Sequence, residues 1–196
     1  MNGAADIAQL FDRTGRRKYL CDSELTRFHK ALRKADQPTR VFCLLIAQTG
    51  CRISEALAIT PLNLDREAKR VIFRTLKRRR TAFRAVPVPD ALMRDLIALA
   101  ADLGEDDKLW PWARQTGWRK VKAAMDAAEI VGPMAMPKGL RHAYGIRAAG
   151  EKVPPSLIQR WLGHADQATT AIYVDAVGAE ERAFARRMTV IPSSNA

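Results

Sequence analysis

The chain has 196 residues, 47% of them hydrophobic and 28% charged, and 33 Lys and Arg against 21 Asp and Glu set a net charge of +12. That composition excludes a disordered or fibrous protein. The length suits one domain that buries on the order of 70% of its unfolded surface. The longest apolar run, Val41–Ala47, has seven residues, far below the roughly 20 needed to span a membrane.

Residues 1–8 lack the basic stretch and apolar run of a secretory signal. The three cysteines, Cys21, Cys43 and Cys51, form no CxxC pair, and with only three histidines a zinc site has little to draw on. These features point to a soluble protein of a reducing cytoplasm, with no metal and no cofactor expected. The positive charge serves either solubility or binding to a polyanion. Its distribution favours nucleic acid: nine of the nineteen residues from Arg66 to Arg84 are Lys or Arg, and Glu67 is the only acid among them.

In chain order, residues 1–18 lack strong periodicity and read as an arm or one short helix. Asp22 or Ser23 caps a helix whose Leu25, Phe28 and Leu32 recur at helical spacing. Val41–Gln48 is a buried helix stopped at Thr49-Gly50, and a further helix, Cys51–Ile59, ends before Pro61. Residues 70–76 and 84–88 read as an antiparallel hairpin around the basic loop 77–83, with Pro87 placing its second strand at an edge. Helices follow at 91–103 and 112–128, with the acidic loop 104–107 read as a solvated connection. Pro137 starts a helix over 138–149 with Gly150 as its cap, and Pro155 starts one over 156–162 that Gly163 ends. Asp166 caps a helix near 167–177, and 179–188 forms the last one. The fold class expected is mainly α with a small antiparallel β-sheet.

Three local patterns could carry chemistry. Arg52 and Glu55, at i,i+3, lie roughly 60° apart on one helical face, as an ion pair or as a guanidinium held at the start of a rigid element, ready for an oxyanion. Lys138, Arg141 and His142 share another face, and no acid lies between Glu129 and Glu151, so this face is either solvated or ready for phosphate. Leu162-Gly163-His164 precedes Thr169, Thr170 and Tyr173. Taken singly, His164 reads as a capping residue and Tyr173 as core, and residues 156–177 also allow a helix-turn-helix.

One reaction needs all of these parts. Metal-free cleavage of a DNA strand requires a nucleophile, charge neutralisation on the phosphoryl oxygens and a proton for the leaving oxygen. Two arginines, a hairpin lysine and a tyrosine meet those needs.

The sequence resembles the catalytic domain of the tyrosine recombinase (phage integrase) family from about Tyr19 to Val177. Thr49-Gly50-Cys51-Arg52-Ile53-Ser54-Glu55-Ala56-Leu57 resembles the first arginine box, Leu140-Arg141-His142 the second, and Leu162-Gly163-His164 with Tyr173 the third. The resemblance implies that Arg52 and Arg141 bind the scissile phosphate, with Glu55 and His142 in support. It implies Lys77 as general acid, His164 as a phosphate donor and Tyr173 as the nucleophile of a 3′-phosphotyrosine bond. Arg74, Arg78, Arg79, Arg80 and Arg84 would contact DNA from the hairpin.

Lys138 stands where the family most often has His, and lysine is less suited to accept the tyrosine proton. The 18 residues before the match cannot form the usual core-binding domain, a length similar to the short fimbrial phase-switch invertases. The resemblance thus implies a recombinase acting on specific sites in double-stranded DNA without metal or ATP. It also implies a homotetramer on DNA with DNA-bending accessory proteins, and a final helix at 179–188 that docks either on a neighbouring protomer or on its own core. A non-catalytic DNA-binding regulator and a type IB topoisomerase remain the competing readings.

Overall fold

The computed structural model describes residues 10–77, 80–164 and 168–175, and only the backbone of 75–77, 80, 81, 168, 169, 174 and 175. Arg78, Arg79, the Asp166 cap, the start of the arm and the helix expected at 179–188 lie outside the described residues.

Helix α1 (Asp22–Leu32) packs beside α2 (Gln37–Thr49), the central helix of the domain. The first cap is one residue earlier than expected: Cys21 is the N-cap, and its backbone N–H donates to Glu24. Helix α2 also starts four residues before Val41, because the Asp36 carboxylate accepts from the Thr39 backbone N–H at 2.9 Å and Pro38 sits in the first turn. Its Val41, Phe42, Leu45 and Ile46 are fully buried, and Phe42 meets Trp110 and Trp112 edge to face. Gly50 ends the helix at φ +62°, and a Cβ there would lie 2.5 Å from Leu162 and 2.7 Å from Tyr144. Both conformation and closeness require glycine at this corner.

Helix α3 (Ile53–Ala56) is shorter than the expected 51–59. The chain beyond it tightens into i→i+3 bonds, and the Ile59 carbonyl is taken by the backbone N–H of Leu109. A 3₁₀ turn, Pro61–Asn63, leads to β1 (Leu64–Asp65), a strand too short to leave a periodic signal. Strands β2 (Arg70–Lys77) and β3 (Arg80–Pro87) complete an antiparallel sheet in the order β1-β2-β3. The pairing runs from Arg70 opposite Pro87 to Lys77 opposite Arg80, so the ladder takes up most of the expected 77–83 loop. Pro87 lies on an edge strand, as expected.

The remaining helices are α4 (Asp90–Ala100), α5 (Arg114–Ala127), α6 (Pro137–Gly150), α7 (Pro155–Leu162) and α8 (Ala168–Asp175). Gly150 belongs to α6 rather than capping it, and the left-handed residue of that turn is Lys152. A second, smaller core gathers Leu10, Ala148, Ile158, Leu162, Ile172 and Tyr173. Residues 10–19 cover it as a turn closed by the Phe11–Arg17 bridge, with no helix among them. The Asp12 carboxylate organises this turn by accepting from the backbone of Thr14 and Arg16.

Candidate active site

The two arginine boxes meet at the end of α7. Arg52 is the N-cap of α3, and with its side chain 44% exposed its guanidinium donates to Glu55 at 3.0 Å. Arg141, 8% exposed on α6, donates to the carbonyl of Gly50 at 2.6 Å and to that of Leu162 at 2.8 Å. Arg84 donates to the Trp161 carbonyl at 2.8 Å, and Arg52 to the Gly163 carbonyl at 3.5 Å. Three successive carbonyls, Trp161 to Gly163, are therefore each capped by a different arginine. Helix ends leave such carbonyls unsatisfied, and cations suit the negative pole there. His164, next in the chain, is set in place by this clamp.

Arg84 corrects one sequence-based expectation. Grouped with the DNA-facing cations, it is instead buried, with both terminal nitrogens forked onto Glu55 at 3.0 and 2.7 Å. The period of two along β3 explains this, since Arg84 shares its face with buried Val86 and pairs with Phe73, whose ring lies 4.9 Å from the guanidinium. Burial is the largest influence on Glu55 and pushes its carboxyl up, but hydrogen bonds and charge from Arg84, then Arg52, hold it below the ordinary range. Glu55 thus fastens the first arginine to the sheet. Helix α3 has only four residues, so the guanidinium itself, rather than a helix dipole, offers charge to an anion.

Burial pushes Arg141 down to about 10, and the neighbouring Arg52 adds to the effect. Arg141 stays cationic at neutral pH, and an anion between it and Arg52 would relieve the repulsion. A guanidinium has five N–H donors, so the two carbonyl bonds of Arg141 leave most of its fork for a ligand.

Tyr173, 1% exposed on α8, places its hydroxyl 3.1 Å from Nδ1 of His142. Its ring stacks on that of His164 at 5.8 Å, and Nδ1 of His164 bonds Thr170 at 3.0 Å, one turn before Tyr173. Burial pushes the phenol up to about 12, opposed by Arg141 and Arg52. His142 is pushed down to about 4 by burial and then by Lys138, Arg141 and Lys18, and His164 to about 3 by burial, then Arg141 and Arg52. Both rings are neutral at pH 7.

Arg52, Lys138, Arg141, His142, His164 and Tyr173 all line one cavity of about 520 Å³. Arg114 and Trp118, one turn apart on α5, line it too and escaped the sequence reading, because nothing local sets that helix face apart. Lys77 closes β2 and Arg80 opens β3 in the backbone, and Arg74 is exposed on β2. Among the described residues no group of three or more His, Cys, Asp or Glu could hold a metal ion, and no helix is long and apolar enough to cross a membrane.

A helical domain with a small antiparallel sheet, in which two guanidiniums converge beside a tyrosine hydroxyl, has the make-up of a tyrosine recombinase catalytic domain. Residues 18–179 match the phage integrase family, and the chain belongs to that family. It is 32% identical over 180 residues to tyrosine recombinase XerD of Caulobacter vibrioides, covering 82% of this chain and 58% of that protein. To tyrosine recombinase XerA of Thermococcus onnurineus it is 27% identical over 169 residues, or 80% of this chain and 57% of that one. The chain spans about half the length of the curated relatives it matches. Its fold is similar to the catalytic domain of bacteriophage HP1 integrase, with a TM-score of 0.65 at 19% identity over 90% of this chain and 96% of that one. The post-cleavage complex of XerH recombinase with palindromic difH substrate gives a TM-score of 0.76 at 16% identity, over 93% of this chain and 63% of that one.

Proposed function

We propose that the chain is a site-specific recombinase that cuts and rejoins double-stranded DNA through a covalent bond between Tyr173 and a 3′-phosphate. The observation that carries this reading is the gathering of Arg52, Arg141, His164 and Tyr173 around one cavity from positions over 120 residues apart. Arg52 and Arg141 grip the nonbridging oxygens, and His164 donates to one of them. Tyr173 attacks phosphorus while Lys77, from the end of β2, protonates the leaving 5′-oxygen. The phosphotyrosine keeps the energy of the broken bond, so rejoining needs neither ATP nor metal. Arg74, Arg78, Arg79 and Arg80 hold the flanking backbone. Family membership supports four protomers on two duplexes, accessory DNA-bending proteins, and a setting in a prokaryotic cytoplasm. Residues 19–178 form the catalytic unit, with 179–196 as a tail that docks on a neighbouring protomer.

The test is a nicked suicide duplex from the chain's own locus, read by denaturing electrophoresis. A covalent adduct forms, is lost in Tyr173→Phe and persists in Tyr19→Phe and Tyr144→Phe. Normal DNA binding with no adduct on any cognate site favours the regulator instead. Lys77→Ala stops cleavage at an ordinary 5′-oxygen but spares a 5′-thiol leaving group, which needs no proton. Equal loss on both substrates overturns the general-acid role.

A further inference from the structure

We infer that His142, the residue after the second arginine, is the base that receives the phenol proton of Tyr173. The inference rests on the reading of Tyr173 as nucleophile and assigns a step to which the lysine at 138 is less suited. A lysine ammonium has three N–H donors and no acceptor, so Lys138 is better suited to phosphate than to the phenol proton. The Tyr173 hydroxyl has an imidazole within hydrogen-bond reach, Nδ1 of His142 at 3.1 Å. The other histidine in the cavity, His164, has its own Nδ1 engaged by Thr170 at 3.0 Å.

When the phenol donates to Nδ1, the ring hydrogen sits on Nε2, and Nε2 is buried with no hydrogen-bond partner among the described residues. Buried polar nitrogens in native proteins are nearly always satisfied. An orphan on the wall of a substrate cavity marks a ring held for its other nitrogen, and for a partner that arrives with substrate. His142 is 4% exposed, so bulk water does not compete for the proton.

The groups facing the ring are Lys138 and Arg141 of its own helix, Lys18 of the N-terminal turn, His164, and Tyr173 on α8. Burial, and then the three cations, keep the free ring neutral and therefore able to accept. A phosphodiester bound between Arg52 and Arg141 adds negative charge beside them and raises the ring's basicity when the proton must move. The step balances. A bond forms from Oη of Tyr173 to phosphorus, and the phosphorus–5′-oxygen bond breaks. The phenol proton passes to Nδ1 of His142, giving an imidazolium, and the 5′-oxygen takes its proton from Lys77. Rejoining reverses each transfer.

The test is the single-turnover rate of adduct formation on the nicked duplex at neutral pH. Proton transfer by a placed base is worth about 10²–10⁴-fold, so His142→Ala and His142→Asn should each be slower by about 10²-fold or more while binding DNA as the parent does. Added imidazoles should restore His142→Ala, with rates rising with the pKa of the rescuer, a dependence that a merely positional role does not produce. A parental rate in His142→Asn, or rescue indifferent to imidazole basicity, overturns the inference. Nitrogen-15 spectra of the unsubstituted protein test it independently of any folding defect in the variants. Nδ1 must be the unprotonated, accepting nitrogen, its shift must move in Tyr173→Phe, and a protonated Nδ1 refutes the base. If the parent protein forms no adduct on any cognate duplex, the reading of Tyr173 fails. An adduct undiminished in the His142 variants removes only the base.

Discussion

The Glu55 cluster and the Tyr173 cluster are both buried and polar, yet they are finished to opposite degrees. The Glu55 carboxylate accepts from the Arg52 backbone N–H, the Arg52 guanidinium and both terminal nitrogens of Arg84. Those four bonds use the whole capacity of a carboxylate. In the Tyr173 cluster the phenol and both imidazoles are neutral, both histidines are held below their ordinary range, and Nε2 of His142 has no partner among the described residues. The contrast teaches where the framework ends and the chemistry begins. Saturated charge holds Arg52 and the sheet in one arrangement, whereas the groups left incomplete are the ones to which we assign proton exchange in the proposed reaction.

Removing a partner from the saturated cluster is the largest expected disruption. Glu55→Ala leaves the Arg84 charge buried and uncompensated, which costs about 3–5 kcal/mol. Urea unfolding measures it, and a loss below about 1 kcal/mol would break the distinction drawn above. Replacing the pair together, Glu55→Leu with Arg84→Met, should recover most of that stability, because two apolar side chains leave no stranded charge.

Acid separates the clusters. The histidines ionise near 6.5 when unfolded but only at about 4 for His142 and about 3 for His164 when folded. The unfolded chain therefore binds protons first, and stability is lost as pH falls from 6.5 toward those values, by up to ~1.4 kcal/mol per pH unit for each histidine. Glu55 is also held below its ordinary 4.5, so its contribution is present above that pH and is lost only as pH falls further. Urea midpoints across pH 3–7 should show the upper slope flattened in His142→Gln and the lower one in Glu55→Gln. A slope between pH 6.5 and 4.5 untouched by His142→Gln would contradict the assignment.

The smallest of these effects probes the seat of Tyr173. A Cβ on Gly145 would lie 2.7 Å from Cε2 and Cζ of the Tyr173 ring. Gly145→Ala should cost about 1–3 kcal/mol by overpacking and slow adduct formation by displacing the phenol from His142. Parental rates on the nicked duplex would mean that this seat does not set the position of the hydroxyl.

The arginine boxes were readable because each is local: Arg52 with Glu55, Lys138 with Arg141, and His164 with Tyr173 are spacings of nine residues or fewer. The helical core with a small edge-ended sheet was readable for the same reason, since apolar periodicity and Pro or Gly stops act over a few residues. Arg84 carried a partial signal. The alternation that buries Val86 also turns Arg84 inward, but the basic run around it reads as solvent-facing. The turn over residues 10–19 and the two-residue strand β1 carried none, because pairing across the chain rather than propensity holds them.

Short-range spacing was thus sufficient for the helix-rich class, and the resemblance of the three boxes for the family and for six cavity-lining side chains, Arg52, Lys138, Arg141, His142, His164 and Tyr173. Packing alone decided the Arg84–Glu55 pair, 29 residues apart, the three arginines on the end of α7, and the contact of His142 with Tyr173, 31 residues apart. Such contacts depend on how helices and sheet come together in space, a long-range outcome that no local period encodes.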